Sequence, residues 1–373
     1  YDELQDRKST CNTKYYFSRG QEKMIEKYYD GAIEQVAAGL GTVEKNYLLV
    51  RYSGQFSVEN LNDTKQLEKN EDIFVQVHEF ETGEITCAYE PYLTMICDGF
   101  RRYMTGTFEE FMETCDVYYL HRPVLLGYFN QDNTGREEII LLDEVAYEQE
   151  RMLAALERML CAIADRHPVL FVLNRFQLAP KSTMQLTARL LKIENCNIGL
   201  VLGVSDIQAM PEFLVPDWEM LYETLDDGSK IYHIGNSGRK KEEIAEDEKY
   251  IDYGSEKVYR KLQNMVEFLD FDQAAYYLET IERKIKFDNL LVDDAARFRM
   301  WLLFVKVSIL RQDIPKALEI CEDLEKIHLA GKEEECAYEQ DYLIATAYMY
   351  QGKLKEALEM AGDRKSTRLN SSP

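Results

Sequence analysis

The sequence of 373 residues predicts an α/β domain with a parallel sheet, followed by a region made only of helices. Two runs, VLFVLN at 169–174 and IGLVLGV at 198–204, are apolar without alternation, which is typical of central parallel strands buried on both faces. Helical segments alternate with such strands, and this order favours parallel pairing through helical crossovers. From Ser255 onward only the helical period remains, which predicts an all-α second part.

The other elements of the first part follow from helical period and from apolar runs of strand length. The predicted helices are Tyr16–Ala38, Pro91–Tyr103, Phe108–Cys115, a long helix from Asp143, and Ser182–Leu191. The remaining predicted strands are Tyr47–Tyr52, Ile73–Phe80, Val124–Phe129 and Lys230–Ile234.

Composition excludes several functions. A net charge of −23 opposes contact with phosphate backbones and with anionic lipid, so we expect no nucleic acid and no membrane as partners. No apolar run reaches the roughly 18 residues of a membrane span, and the start lacks a signal-peptide pattern, which predicts a cytoplasmic protein.

The eight cysteines form no Cys-x-x-Cys pair, so we expect reduced thiols that pack as small hydrophobes. The five histidines lack metal-ligand spacing, and we expect no metal site.

Four segments of the first part carry a family resemblance. They are SRGQEKMIEKYY at 18–29, YLLVRYSGQFSVENL at 47–61, PYLTMICDGFRRY at 91–103 and HPVLFVLNRFQLAPKSTMQL at 167–186. Their order resembles the ATPase domain of AAA-type and STAND-type signalling proteins. The resemblance implies a P-loop NTPase-like fold, with a phosphate loop after the first strand and acidic residues at the end of a later strand.

The phosphate loop of this family requires Gly-x-x-x-x-Gly-Lys-Ser/Thr, whose lysine neutralises phosphate and whose hydroxyl holds magnesium. Gly54 supplies the first glycine. The second glycine, the lysine and the hydroxyl fall on Glu59, Asn60 and Leu61. A carboxylate at position 59 repels phosphate, so the resemblance implies a vestigial loop.

The acidic strand end is also altered. Asn174 stands where the resemblance requires the acid that orients magnesium, and Arg175 where it requires the acid that activates water. Phosphoryl transfer depends on these groups. We therefore expect no catalytic residue, no cofactor and no enzymatic activity. A generic α/β sheet, and a divergent STAND-class NTPase that binds ATP through unfamiliar residues, remain as alternatives.

The second part resembles tetratricopeptide (TPR) repeats. In ATAYMYQGKLKEALEMA, Ala345, Tyr348, Gly352 and Ala357 fall at the family's small residue, tyrosine, turn glycine and alanine. Ala317 and Ala274 repeat the alanine position at spacings of 40 and 43 residues. The resemblance implies a superhelix of helix pairs that binds a protein partner or a neighbouring domain. An unrelated helical bundle is the alternative.

Each helix pair is expected to bury an apolar layer against the next. The three predicted layers are Leu262, Met265, Leu269, Leu278 and Ile281; Trp301, Leu302, Val305, Leu318 and Cys321; and Tyr342, Tyr348, Leu354 and Leu358.

The predicted organisation is a flexible segment at 1–14, the ATPase-like domain at 15–235, a charged linker at 236–254 and TPR-like repeats at 255–361. The tail GDRKSTRLNSSP at 362–373 resembles a translated sequencing adapter, and we expect the natural chain to continue with an effector domain. The expected function is that of a regulatory or scaffolding fragment of a cytosolic bacterial signal-transduction protein. An adaptor without an effector is the alternative.

Overall fold

The computed structural model describes residues 19–40, 46–52, 56–58, 72–81, 83–132, 144–193, 196–205, 210–225, 230–234, 251–324, 326–327 and 333–359. The phosphate-loop positions Gly54, Glu59, Asn60 and Leu61 lie outside these ranges, as do the predicted N-terminal segment, most of the predicted linker and the tail.

The first part contains a parallel sheet of five strands in the order β2-β3-β4-β1-β5. The strands are β1 Tyr47–Tyr52, β2 Phe74–Glu79, β3 Val169–Asn174, β4 Ile198–Ser205 and β5 Ile231–Ile234. Every residue of β3 and β4 is buried, as their uninterrupted apolar runs require. The predicted α/β class with a parallel sheet is therefore confirmed.

Helices cover both faces of the sheet. They are α1 Arg19–Gly39, α2 Tyr92–Tyr103, α3 Phe108–Thr114, α4 Arg122–Asn130, α5 Val145–Ala164, α6 Lys181–Leu190 and α7 Val215–Thr224. On β3, Leu170 and Val172 belong to the apolar cluster that α1 forms on one face. Phe171 and Leu173 point the opposite way and pack in the larger cluster with α2, α5 and α6, because side chains alternate along a strand.

One predicted strand is wrong. The run Val124–Phe129 lies within helix α4, in which Pro123 occupies the first turn. Proline is suited to that turn because its missing N–H has no intrahelical partner to lose. Val124 and Leu125 are buried, and a short apolar run does not distinguish a buried strand from a buried helix turn. Helix α7 had no counterpart among the predicted elements.

The second part consists of helices joined by turns and loops and has no strand among its described residues, in agreement with the predicted all-α region. Its helices are α8 Glu256–Glu267, α9 Phe271–Phe287, α10 Asp294–Leu310, α11 Ile314–Leu324 and α12 Glu333–Tyr350, followed by a helical segment at 354–359. Tight turns join α8 to α9 and α10 to α11, and the joined helices pack on each other, which makes each pair an antiparallel hairpin.

The same turn occurs three times. Leu269, Gln312 and Gly352 all have positive φ, at 67°, 63° and 79°, and in each case a helix begins two residues later. The next residue's N–H bonds to the carbonyl five residues back, which is the pattern of a Schellman cap. These bonds are Asp270 N to Met265 O at 2.7 Å, Asp313 N to Ser308 O at 2.8 Å, and Lys353 N to Tyr348 O at 2.9 Å.

The predicted burial holds for the first two layers and fails in the third. The first two layers are buried apart from Leu318, which is partly buried. In the third, Tyr342, Leu354 and Leu358 are 43%, 60% and 72% exposed. Helix α12 instead buries Leu343, Ile344 and Ala347. The segment 354–359 is the last helical segment that the structure describes. No further helix among the described residues covers Leu354 and Leu358, which explains their exposure.

The positive φ of Gln312 gives a paired prediction. Gln312→Gly is expected to raise the free energy of unfolding by about 0.5–1 kcal/mol relative to Gln312→Ala, because only glycine adopts this conformation without strain. Gly352→Ala is expected to lower it by about 1 kcal/mol for the same reason. Urea denaturation measures both.

The matched control lies at exposed Glu322 inside α11, where φ is helical. There glycine should be less stable than alanine by about 1 kcal/mol. If Gln312→Gly is also less stable than Gln312→Ala, the shared turn geometry is wrong.

Candidate functional site

The strand order locates a crevice at the carboxyl edge of the sheet. β1 and β4 are neighbours, but the chain leaves β1 for the edge strand β2 and leaves β4 for β5 at the opposite edge. In open α/β sheets, ligands bind where adjacent strands send their connections in opposite directions. The carboxyl ends of β1, β3 and β4 therefore form the candidate site.

Asn174 ends β3 at this crevice and is 0% exposed. Its Oδ1 accepts hydrogen bonds from the Oη atoms of Tyr29 and Tyr52, at 2.6 and 2.8 Å. Its Nδ2 donates to the carbonyl oxygen of Phe56 at 2.9 Å. A carbonyl oxygen has two lone pairs, and both are used. The carboxamide is thus bound to the protein's own α1, β1 and the segment after β1.

Three aromatic rings fill the space around this carboxamide. The rings of Tyr29 and Phe56 stack with centroids 5.2 Å apart, and the Tyr52 ring lies edge-on at 6.1 Å from each of them. Gly203 on β4 leaves room for them, since a Cβ there would lie 1.4 Å from Tyr29 Oη. We call Tyr29, Tyr52, Phe56 and Asn174 the aromatic plug.

The two phenols in the plug remain hydrogen-bond donors at neutral pH. Burial raises the pKa of Tyr29 well above its usual value. Burial also raises the pKa of Tyr52, although the nearby Arg175 guanidinium and the Asn174 hydrogen bond oppose the shift. Both hydroxyls are therefore protonated and satisfy the Asn174 oxygen.

Arg175 follows Asn174 in a left-handed conformation and pairs with Glu79 at the end of β2, with Nε to Oε1 at 3.3 Å. The other oxygen of Glu79 accepts from Ser57 Oγ at 2.7 Å and from Val58 N at 3.2 Å. Glu79 thus ties the segment after β1 to the end of β3. Its carboxylate also offsets the guanidinium charge that would otherwise attract an anion.

Sequence reasoning located part of this site. Asn174 and Arg175, which the sequence singled out, lie at the carboxyl end of β3 and thus at the crevice, whereas their role as vestigial acidic-strand positions stays a prediction. Sequence reasoning missed Tyr29, Tyr52 and Glu79. The sequence did contain a signal for these contacts. The apolar runs YLLVRY and VLFVLN each end on a residue with a polar group, and a buried polar group needs a hydrogen-bond partner.

A second polar cluster joins the two parts of the chain. Asp270, in the turn before α9, accepts from Ser182 N at 3.0 Å through Oδ2 and from Gln273 N at 3.4 Å through Oδ1. The side chain of Gln273 also accepts from Lys181 N at 3.2 Å. Asp270 and Gln273 therefore cap the first turn of α6, and Asp270 also caps α9, which satisfies N–H groups that a helix start leaves unpaired.

Charged side chains surround this capping cluster. The Lys181 ammonium pairs with Asp272 and lies 3.8 Å from Asp217 of α7. Arg311, at the end of α10, pairs with the other oxygen of Asp272 at 2.9 Å. Partly exposed pairs of this kind contribute at most about 1 kcal/mol each. The buried Asp270 is therefore the more specific determinant of how the parts meet.

Further contacts extend the junction along α8. Ala88 N donates to Asn264 Oδ1 at 3.0 Å, and the Lys261 ammonium lies 3.1 Å from Glu84. The Phe268 ring packs edge-on against Tyr89 with centroids 6.3 Å apart. Buried residues of the sheet domain and of the hairpins form one continuous apolar cluster. The helical part is docked on the sheet domain.

A cavity of about 410 Å³ lies beside this junction, between α2, α4 and α8. Its charged walls include Arg101 and Arg260. Arg101 pairs with Asp98 at 3.2 Å, and Arg260 pairs with Glu256 at 3.2 Å. Both guanidiniums already have carboxylate partners, so the cavity has little to offer an anion.

No protein-family model matches the chain, and no curated protein or solved structure matches it significantly. Within the described ranges, no group of three or more His, Cys, Asp or Glu side chains is arranged to hold a metal ion. None of the described helices combines the length and the apolarity needed to cross a membrane.

Asn174→Ala tests the plug. The change leaves two buried phenol hydroxyls without an acceptor, so we expect the free energy of unfolding to fall by about 3 kcal/mol. Tyr52→Phe removes one donor but keeps the Tyr29 bond, and should cost only about 1 kcal/mol. Urea denaturation at neutral pH measures both, and an Asn174→Ala effect below that of Tyr52→Phe would contradict the geometry.

Asp270→Asn tests the junction through its pH dependence. Burial raises the pKa of Asp270 from 3.8 to about 6, so between these values the folded chain holds a proton that the unfolded chain has lost. The contribution of this group to stability therefore falls as pH rises from 4 to 6. Asparagine does not titrate, so the variant does not lose stability in this way. Its free energy of unfolding, relative to that of the native chain, should therefore rise by about 2–3 kcal/mol between pH 4 and pH 6.

Unfolding titrations at several pH values measure the difference. Asp313→Asn is the matched control, because Asp313 caps the equivalent turn of the next hairpin through Lys316 N but is exposed. A pH-independent difference for Asp270→Asn would show that the carboxyl is not buried at the junction.

Proposed function

We propose that this protein is a regulatory or scaffolding module of a cytosolic bacterial signal-transduction protein. In this proposal a non-hydrolysing ATPase-like domain carries TPR-like repeats, and the repeats contact a protein partner. The observation that carries it is the aromatic plug. The crevice where a nucleotide would bind holds side chains of the chain itself, bonded to Asn174.

The sheet supports the ATPase-like part of the proposal. The segments that resemble the family's phosphate-loop strand and acidic strand are β1 and β3. Only β4 lies between them, and their carboxyl ends meet where Tyr52 bonds to Asn174. The two strands thus end at one crevice, which is the arrangement that a nucleotide site of this family requires.

The chemistry of the crevice argues against hydrolysis. Phosphoryl transfer requires a group that positions magnesium and a group that orients the attacking water. The Asn174 oxygen is neutral, and two phenols occupy both its lone pairs. Arg175 is cationic and is paired with Glu79, so it does not serve as a base.

The helical part supports the proposal of repeats. Its hairpin turns recur after 43 and 40 residues with the same positive φ and the same capping bond. Ala274 and Ala317, four residues after Asp270 and Asp313, are fully buried. Repeat arrays of this type present extended surfaces to proteins. Because the hairpins pack on the sheet domain, the orientation of that surface relative to the sheet is fixed.

Isothermal titration of the chain with ATP and magnesium tests the proposal. We expect no saturable heat at ligand concentrations up to about 1 mM, because binding would require expulsion of three aromatic side chains. Asn174→Asp restores a carboxylate at the magnesium position, and it should also fail to bind because the rings remain.

A saturable isotherm with Kd tighter than about 100 μM would overturn the inactive-domain proposal. Magnesium-dependent turnover that Asn60→Ala abolishes would establish the alternative, a divergent NTPase.

A further inference from the structure

We propose that Cys161 and Cys196 form a redox modification site, at which a peroxide or a small disulfide converts the two thiols into a reversible disulfide. The Sγ atoms lie 3.5 Å apart. Formation of a bond of about 2.05 Å requires them to approach by about 1.5 Å.

The pair joins two elements that are distant in sequence. Cys161 lies in the last turn of α5, and Cys196 lies two residues before β4 begins at Ile198. Both side chains are partly exposed, whereas Cys97 and Cys115 are buried. A small oxidant therefore reaches the Cys161–Cys196 pair more readily than these two buried cysteines.

The surroundings make Cys196 the nucleophile. The hydrogen bond with Cys161 lowers the pKa of Cys196, with help from the backbone at Asn197 and Ile198, while burial and Asp165 oppose the shift. The Cys161 sulfur lies 3.5 Å from that of Cys196 and is the second sulfur of the pair. Thiolates, not thiols, attack oxidants. Burial raises the pKa of Cys115 to about 11, which leaves it unreactive.

The reaction balances in two steps. The Cys196 thiolate attacks one oxygen of hydrogen peroxide, the O–O bond breaks, and hydroxide leaves while Cys196 becomes a sulfenic acid. The Cys161 sulfur then attacks the sulfenic sulfur, the S–O bond breaks, and the oxygen leaves as water with the thiol proton. Overall, two thiols and one peroxide give one disulfide and two water molecules.

The disulfide would close a loop that contains part of the plug and part of the junction. The two cysteines are 35 positions apart. The segment between them includes β3 and α6, and hence Asn174 of the plug and Ser182 of the junction. A cross-link that restricts the unfolded chain stabilises the folded one. Oxidation would therefore strengthen the part of the molecule that connects the crevice to the hairpins.

Treatment of the full chain with one equivalent of hydrogen peroxide tests the proposal, followed by alkylation and peptide mass mapping without reductant. We expect loss of two of the eight thiols, a cross-linked Cys161–Cys196 peptide and full reversal by dithiothreitol. The midpoint of thermal unfolding should rise by about 5 °C in the oxidised chain.

Two variants and one condition complete the design. Cys161→Ser should abolish the cross-link, whereas Cys115→Ser should leave it intact. In 8 M urea the cross-link should form at least about tenfold more slowly, because the fold holds the sulfurs together. A native chain in which other cysteines oxidise first, or in which urea does not slow the cross-link, would overturn the proposal.

Discussion

The buried carboxamide of Asn174 is the constraint on which the sheet domain depends. A polar group fully removed from water at the end of a central strand must have its hydrogen bonds supplied by the protein. Tyr29 of α1 and Tyr52 of β1 supply them, and Gly203 provides the space that the Tyr29 phenol requires. The same bonds that position α1 on the sheet therefore close the crevice to a ligand.

A short length of chain connects the crevice to the helical hairpins. After Asn174 the chain makes one short turn at Phe176–Leu178 and enters α6, whose first two residues bond to the hairpin turn around Asp270. A displacement at the end of β3 would reach the junction through eight residues of continuous chain. In the function proposed above, the sheet domain holds the hairpins in place and the exposed helix surfaces contact the partner.

The local sequence pattern was sufficient to predict most helices and strands, but it was not sufficient to predict the contacts between them. The bounds of β1 and β3 follow from their apolar runs. In the third hairpin turn a glycine indicates the positive φ, but Leu269 and Gln312 adopt the same conformation in the first two turns and nothing in the sequence indicates it. The bond of Tyr29 to Asn174 joins residues 145 positions apart, and that of Asp270 to Ser182 spans 88. Periodicity contains no information about such pairs, because they depend on tertiary packing. The predicted strand at Val124–Phe129 was wrong because the local pattern itself was ambiguous. A short apolar run fits a buried strand and a buried helix turn equally well.

Side chains of the protein itself occupy the crevice at the carboxyl ends of β1 and β3, and the proposed function rests on this packing. A crystal structure grown with a non-hydrolysable ATP analogue and magnesium tests it most directly. We expect an unchanged network in which the Tyr29 and Tyr52 hydroxyls lie within about 3 Å of Asn174 Oδ1, with no nucleotide density between the ends of β1 and β3. Phosphate density at that edge, with Tyr29 rotated away from Asn174 and Gly203, would contradict it.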